Sequence, residues 1–331
     1  MRDVAEQAAV SPTTVSFVLA GREDMRISED TRHRVLRAAR ELGYRPNLMA
    51  RSLRTKVTRT IALISDTIVT DHYAGDLVHG SLTTAVEHDH LLVVSETEGD
   101  SAVEAQLIEH LLGRQVDGFL YATLSTSHVR IPRALAGQRV VLLNCVAPSR
   151  RIPAILPDEL EAGRCAAGTL LAAGHRRGIY VVGEQPQDVF AARERMAGIL
   201  AGLDAAGARL AGTVDCLWWP EPAHDAVTLM LRSGDRPAAL ICMNDRVAFG
   251  AYQALAEAGI AVPDQVSVIS FDDSALAAWL RPQLCSIALP YLEMGRRAVE
   301  TLLDPAAAPV VQRVPMPLRE RASIAPPPAS L

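Results

Sequence analysis

A single lysine, Lys56, stands in a chain of 331 residues, and arginine supplies every other basic side chain. That bias reads as codon usage rather than chemistry, and it leaves no lysine for a phosphate-binding P-loop. G-x-G-x-x-G, G-x-S-x-G and H-E-x-x-H patterns are missing too, so dinucleotide, nucleophile-elbow and zinc-hydrolase readings have no anchor. The five cysteines, Cys145, Cys165, Cys216, Cys242 and Cys285, share no C-x-x-C spacing. They read as small buried hydrophobes in a reducing compartment. His88 and His90 stand two apart at a helix end, where their rings diverge and lack further ligands. No apolar run reaches the roughly 18 residues of a membrane span, and Met1-Arg2-Asp3 opens without the apolar stretch of a signal peptide. The expectation is a cytoplasmic, non-enzymatic protein with no metal, no cofactor and no membrane contact.

What charge there is lies unevenly. Residues 1–57 hold 11 Arg and Lys against 7 Asp and Glu, and the remainder holds 22 against 31. A small basic head precedes a large acidic body, as in a nucleic-acid-contacting module joined to a sensor, although a chance surface excess reads the same. With 49% hydrophobic residues the chain can bury a sizeable core, and its length calls for two or three units.

The head is organised around Ser11-Pro12-Thr13-Thr14-Val15-Ser16-Phe17-Val18-Leu19. Ser11 is a good N-cap, and Pro12 takes the first helical position, where its missing N–H is harmless. Val15, Val18 and Leu19 recur at i, i+3 and i+4 as one apolar face, leaving Thr13, Thr14, Ser16 and Phe17 to point elsewhere. A helix over 3–8, a tight turn at Ala9-Val10, and a third helix opened by Ser28 and stopped by Gly43 complete a helix-turn-helix pattern. The expected miniature core is Val4, Ala8, Val15, Leu19, Val35, Leu36 and Leu42. Arg45-Pro46 breaks this unit off. Residues 48–54, with Ala50 and Leu53 at i, i+3, form a helix too short to persist in water unless something binds it.

From Thr60 the pattern turns to strand-then-helix units. Apolar runs at 61–64, 91–94, 118–121 and 140–143 alternate with helical stretches at 75–87, 102–112 and 132–136. A second series has strands at 179–182, 213–217, 239–243 and 266–271 between helices at 160–173, 191–206, 223–231 and 246–258. Such strands indicate parallel sheets covered on both faces, and the two halves meet near Pro157. The chain returns through a strand at 285–289, a helix at 292–303 and a strand near 310–314. Ligands of open α/β sheets sit beyond the strand C-termini, so two facing halves make a cleft for a small molecule.

Several segments carry a family resemblance. In the head they are Asp3-Val4-Ala5, Val10-Ser11, Thr14-Val15-Ser16, Thr31-Arg32, Leu42-Gly43-Tyr44-Arg45-Pro46-Asn47 and Ala50-Arg51-Ser52-Leu53-Arg54. In the body they are Gly174-His175-Arg176-Arg177, Arg195-Met196-Ala197-Gly198, Asn244-Asp245-Arg246-Val247-Ala248, Val262-Pro263-Asp264 and Phe271-Asp272-Asp273. In this order, over nearly the whole chain, they resemble the signature segments of the lac repressor (LacI) family of transcription factors. The resemblance implies an all-α helix-turn-helix head on an α/β two-lobed, periplasmic-binding-protein-like body with two parallel-sheet subdomains. It implies a head at 1–45 and a hinge helix and linker at 46–58. One effector-binding subdomain would hold 59–157 with 286–308, the other 158–285 with 309–325, and 326–331 would be a loose tail. The implied function is repression of carbohydrate-utilisation genes by a homodimer on a pseudo-palindromic operator, switched by a small sugar-like effector between the lobes. A nucleobase-responsive or activating regulator of the same family is the alternative.

The resemblance also assigns residues. Pro12, Thr13, Ser16 and Phe17 face bases; Ser11, Thr14, Ser28, Thr31 and Asn47 meet phosphates; Ala50 and Leu53 belong to a hinge helix whose leucine wedges into the minor groove. Each is also open to a plainer reading as a cap or a solvated surface residue. Phe17 stands where an arginine is frequent, Ala20 where an asparagine is, and Ala9 where a glycine is. Without arginine's bidentate grip on guanine, Phe17 either touches a thymine methyl or packs on the head or partner hinge. Ala9 either has a backbone angle that does not demand glycine or is strained. The match starts a few residues into the family pattern, so a phosphate contact of the preceding arm is lost or the start codon is misassigned. In the body, Arg195, Asn244 and Asp272 would hydrogen-bond the effector, with Tyr73 and Trp218 or Trp219 as walls, a set suited to a sugar. Read otherwise, Arg195 and Asp272 are structural ion partners, Asn244 and Asp245 are caps, and the tryptophans are core. Asp273 reads as structural, and residues 318–331 are too short and proline-rich for a tetramer-forming heptad repeat.

Overall fold

The computed structural model describes residues 1–19, 22, 25–44, 57–68, 75–148, 151–184 and 189–327. The chain divides into two units, Met1–Thr58 and Arg59–Leu331.

In the first unit, α1 (Arg2–Gln7), α2 (Pro12–Leu19) and α3 (Glu29–Glu41) close on Val4, Ala5, Ala8, Val15, Val18, Val35, Ala38 and Ala39. Leu36 and Leu42, expected inside, are exposed. Val35, Ala38 and Ala39 at i, i+3 and i+4 fill the inner face of α3 and turn Leu36 outward, and Leu42 lies past the last turn. The Ser11 Oγ accepts from Thr14 N at 3.1 Å and pairs with Thr14 Oγ1 at 2.9 Å. Ser28 repeats the arrangement on α3, accepting from Thr31 N at 3.3 Å and donating to Thr31 Oγ1 at 2.9 Å. Both serines thus act as caps.

The C-terminal ends of α1 and α3 also match. Val10 N donates to Ala5 O and Ala9 N to Glu6 O, as Tyr44 N does to Ala39 O and Gly43 N to Arg40 O. This closure requires a left-handed residue, which is Gly43 (φ 59°) after α3 but Ala9 (φ 52°) after α1. Of the two readings of Ala9, strain is the one found, worth roughly 1–2 kcal/mol.

The second unit consists of two α/β lobes. The first has a parallel sheet of β1 (Thr60–Ser65), β2 (Leu91–Glu96), β3 (Gly118–His128), β4 (Val140–Val146), β5 (Ala154–Pro157) and β11 (Val311–Val314), in the order β11-β5-β4-β3-β1-β2. Helices α4 (Gly75–Glu87) and α11 (Tyr291–Leu303) cover one face, and α5 (Ser101–Gly113) the other. The second lobe has β6 (Ile179–Glu184), β7 (Gly212–Asp215), β8 (Ala239–Cys242), β9 (Ser267–Asp272), β10 (Cys285–Ala288) and β12 (Leu318–Arg319), in the order β12-β10-β9-β8-β6-β7, with β12 antiparallel to β10. Helices α6 (Glu159–Ala172) and α7 (Phe190–Ala205) cover one face; α8 (Pro220–Arg232) and α9 (Asp245–Glu257) cover the other. A short α10 (Ala275–Trp279) follows β9.

The chain passes between the lobes after Pro157, after Ala288 and after Val314. This corrects the expected partition. Residues 286–288 belong to the second lobe, where β10 pairs with β9, and 311–314 belong to the first, where β11 pairs with β5. The strand β10 is short, apolar and buried, and β11 is a four-residue edge strand with only Val314 buried; neither local pattern discloses which sheet it joins. Cys145, Cys242 and Cys285 are buried and Cys165 and Cys216 half-buried, all with free thiols. Among the described residues no helix is long and apolar enough to cross a membrane.

Candidate functional site

The crossings bring strand ends from both lobes to a cavity of about 350 Å³. Arg195, Trp218, Trp219, Asn244 and Asp272, all singled out from the sequence, line it together. Tyr73, like Asn47, Ala50 and Leu53, lies outside the described residues.

Arg195 projects from α7 and is fully buried. Its Nε donates to Glu159 Oε2 at 2.6 Å, Nη2 to Glu159 Oε1 at 3.0 Å, and Nη1 to the Met243 carbonyl. The guanidinium carbon lies 4.5 Å from the Phe271 ring centre and 5.4 Å from that of Trp218, so two aromatic faces hold it. Burial works against its charge, but Glu159 and Asp272 more than offset that and hold it protonated. Arg195 is therefore a structural ion partner, as its alternative reading had it, and also a wall of the cavity.

Asp272 ends β9, with its carboxylate 3.5 Å from Arg195 Nη2. Burial pushes the Asp272 carboxyl up to about 7; Arg195 pulls it back, while Asp245 and Glu159 add to the rise. Asp272 (φ 103°) and Asp273 (φ 55°) both have left-handed backbones, a strain of about 1–3 kcal/mol each of the kind that collects at ligand sites. The Asp273 side chain faces other partners, Arg321 Nη2 at 2.6 Å and Arg319 Nε at 3.5 Å, and is structural.

Asn244 caps α9, its Oδ1 accepting from Val247 N at 2.8 Å, which leaves the amide nitrogen as the group it can offer. Asp245 is buried beneath, accepting from Ser286 Oγ at 2.8 Å, Ser274 N at 2.6 Å, Ser274 Oγ at 2.8 Å and the Ser270 hydroxyl. Trp218 is half-buried and anchored by Nε1 to the Gly183 carbonyl at 2.6 Å. Trp219 is 55% exposed and has the Arg246 guanidinium 4.5 Å over its ring. It is a cavity wall rather than core.

The first lobe adds Leu124, Ser125, Thr126, Asn144 and Tyr291, none of which was singled out beforehand. The strand register of β3 against β4 shifts between Ala122 and Ser127, and Asn144 holds the displaced segment. Its Nδ2 donates to Thr123 O at 3.0 Å and Leu124 O at 2.8 Å, and its Oδ1 accepts from Thr126 Oγ1 at 2.6 Å. Asn144 also has positive φ (59°), and an Asn inside the apolar run 140–146 was the available signal. Among the described lining residues, Glu159 and Asp272 balance Arg195 and Arg246 in formal charge.

On the head, Pro12 and Thr13 are exposed, and Ser16 and Phe17 are half-buried. The Arg22 guanidinium stands 5.4 Å over the Phe17 ring, and Arg22 N donates to Phe17 O at 3.1 Å.

Residues 1–47 match the family described as bacterial regulatory proteins, lacI family, and residues 167–324 match a periplasmic binding protein-like domain. The sucrose operon repressor of Shigella flexneri is 33% identical, the match covering 98% of this chain and 99% of that protein. The HTH-type transcriptional regulator AscG of Escherichia coli (strain K12) is 32% identical over 92% of this chain and 90% of its own length. Among solved structures, the lac repressor dimer bound to operator and the anti-inducer ONPF superposes with a TM-score of 0.78 at 25% identity, covering 98% of each chain. The transcriptional regulator CelR in complex with cellobiose gives 0.68 at 28%, covering 97% of this chain and 98% of CelR.

Proposed function

This chain belongs to the lacI family of bacterial regulatory proteins, and from that premise we propose that it is an operon repressor of carbohydrate utilisation, released from or held on its operator by an uncharged sugar. It is a helix-turn-helix transcriptional regulator with a two-lobed sensor body. As a homodimer it would present two heads to a pseudo-palindromic operator, the lac repressor dimer being the precedent. Pro12, Thr13, Ser16 and Phe17 would face bases in the major groove. Ser11, Thr14, Ser28 and Thr31, gathered at two helix N-termini, suit phosphates, because outward N–H groups and the helix dipole favour anions there. Asn47, Ala50 and Leu53 would form the hinge that enters the minor groove.

The observation that carries the effector reading is the cavity lining. Asp272, Asn244, Thr126 and Arg195 supply acceptors and donors; Trp218 and Trp219 supply faces; and the balanced charge disfavours a phosphate or carboxylate ligand. Walls from both lobes let a bound sugar select one lobe arrangement, and through it one DNA affinity. The test is fluorescence anisotropy on duplexes that the protein itself selects from a random pool. These are titrated with neutral mono- and disaccharides, sugar phosphates and nucleosides. A neutral sugar should shift the operator Kd at least about tenfold, or 1.4 kcal/mol. A response to sugar phosphates or nucleosides alone would overturn the sugar reading, and no selected duplex would overturn the regulator.

A further inference from the structure

Arg195 enters the cavity from the second turn of α7, and its neighbour Glu194 leaves the same turn toward the first lobe. Arg313, on β11 of that lobe's sheet, grips Glu194 with both terminal nitrogens, Nη1 to Oε2 at 2.6 Å and Nη2 to Oε1 at 2.7 Å. Asp158, the N-cap of α6, stands 3.9 Å from Arg313 Nη1, and its own N–H donates to Val314 O at 2.9 Å. One turn earlier on α7, the Phe190 ring meets His128 of β3 edge-on at 5.7 Å. The start of this second-lobe helix is therefore held by two strands of the first lobe. Helices α6 and α7 also touch backbone to backbone: a Cβ on Gly163 would lie 2.1 Å from Arg195 O, and one on Gly198 2.0 Å from Leu160 O. A displacement at Glu194 must thus reach Arg195 and its partner Glu159.

We propose that Arg313 and Glu194 form an inter-lobe latch that positions α7, so that Arg195 is placed for the effector only while the lobes are closed. The bidentate geometry is the one in which a partly exposed pair contributes measurably. The coupling to an effector rests on the cavity reading given above; the latch itself does not. Neither residue lines the cavity. They are positioning residues, distinct from those that would touch a ligand.

A double-mutant cycle on the full chain tests this. Glu194→Gln and Arg313→Gln should each speed amide exchange across 190–199 about two- to fivefold, and the double variant no further. Sucrose, cellobiose and ribose, titrated against tryptophan fluorescence, should bind each single variant weaker by a similar factor. The losses should be non-additive, and raised salt should narrow the gap. Unchanged exchange, or additive effects in the double variant, would overturn the latch. Altered exchange with no sugar binding, even by the parent chain, would retain the latch and overturn the sugar reading.

Discussion

Ala9 and Gly43 close two helices of the same head with the same hydrogen bonds, yet only one has the residue that the left-handed turn prefers. Ala9→Gly should therefore stabilise the head by about 1 kcal/mol, and Gly43→Ala should destabilise it similarly, read as opposite Tm shifts of about 4–8 °C in circular dichroism. At Phe17, half-buried beneath Arg22, the ring is a platform as much as a contact. Phe17→Ala should relax preference among operator variants more than it lowers head stability; unchanged selectivity would refute that assignment. Asp272 predicts a pH dependence of sugar affinity. With its carboxyl pushed up to about 7, it is protonated below that pH, where one oxygen becomes a donor and the group accepts fewer and weaker hydrogen bonds from sugar hydroxyls. Affinity measured calorimetrically should fall as pH drops below 7 and level off above it. The folding linkage runs the opposite way: the folded form keeps a proton that the unfolded chain has released, so this group's contribution to stability declines as pH rises from the ordinary carboxylate range toward 7. Arg195, Asn244 and Asp272 were legible in the sequence because each sits in a recognisable segment. Glu159 was not, since its partner is 36 positions away and nothing local distinguishes a buried glutamate from a first-turn one.

Glycine contacts fix several helix pairs of the body. Gly163 and Gly198 join α6 to α7; Gly80 and Gly295 join α4 to α11, where added Cβ atoms would sit 2.1 Å from Leu292 O and 2.3 Å from Leu77 O; and Gly250 sets α9 against Pro220 O at 2.1 Å. Backbone contact of this kind leaves no room for a methyl group, so Gly198→Ala should cost about 1–3 kcal/mol and weaken sugar binding with it, the second because Arg195 shares the displaced turn. Gly168 on the same α6 has nothing within 4 Å of its would-be Cβ. Gly168→Ala should instead stabilise by about 0.5–1 kcal/mol, the ordinary helix-propensity gain. Denaturant melts of the two variants check the contrast. Helices and strands were readable from periodicity, but these contacts were not: a glycine inside a helical pattern reads as a weak point until the neighbouring helix is known. The first-lobe wall at 123–126 was hidden for a related reason, since a register shift between strands is a property of the pair and not of either sequence.

The head has its own small core, separate from the four clusters of the body. Calorimetry should therefore show two transitions, the smaller unit melting first, with a saturating sugar raising only the upper one, by about 2.7 kcal/mol at a hundred times Kd. A sugar that moved both equally would show that the units unfold as one. The body's interleaved chain bears on descent as well as on switching. Because α11 and β11 of the first lobe are encoded after the second lobe has been read through, recombination at Pro157 between two such regulators would produce a first lobe of mixed parentage, its α4 from one parent and the α11 packed on it from the other. A clean exchange of the second lobe requires three junctions, near 158, 289 and 316, made together. A single junction at Pro157 would thus join Gly80 and Leu292 from different parents across a contact that leaves no room for a methyl group.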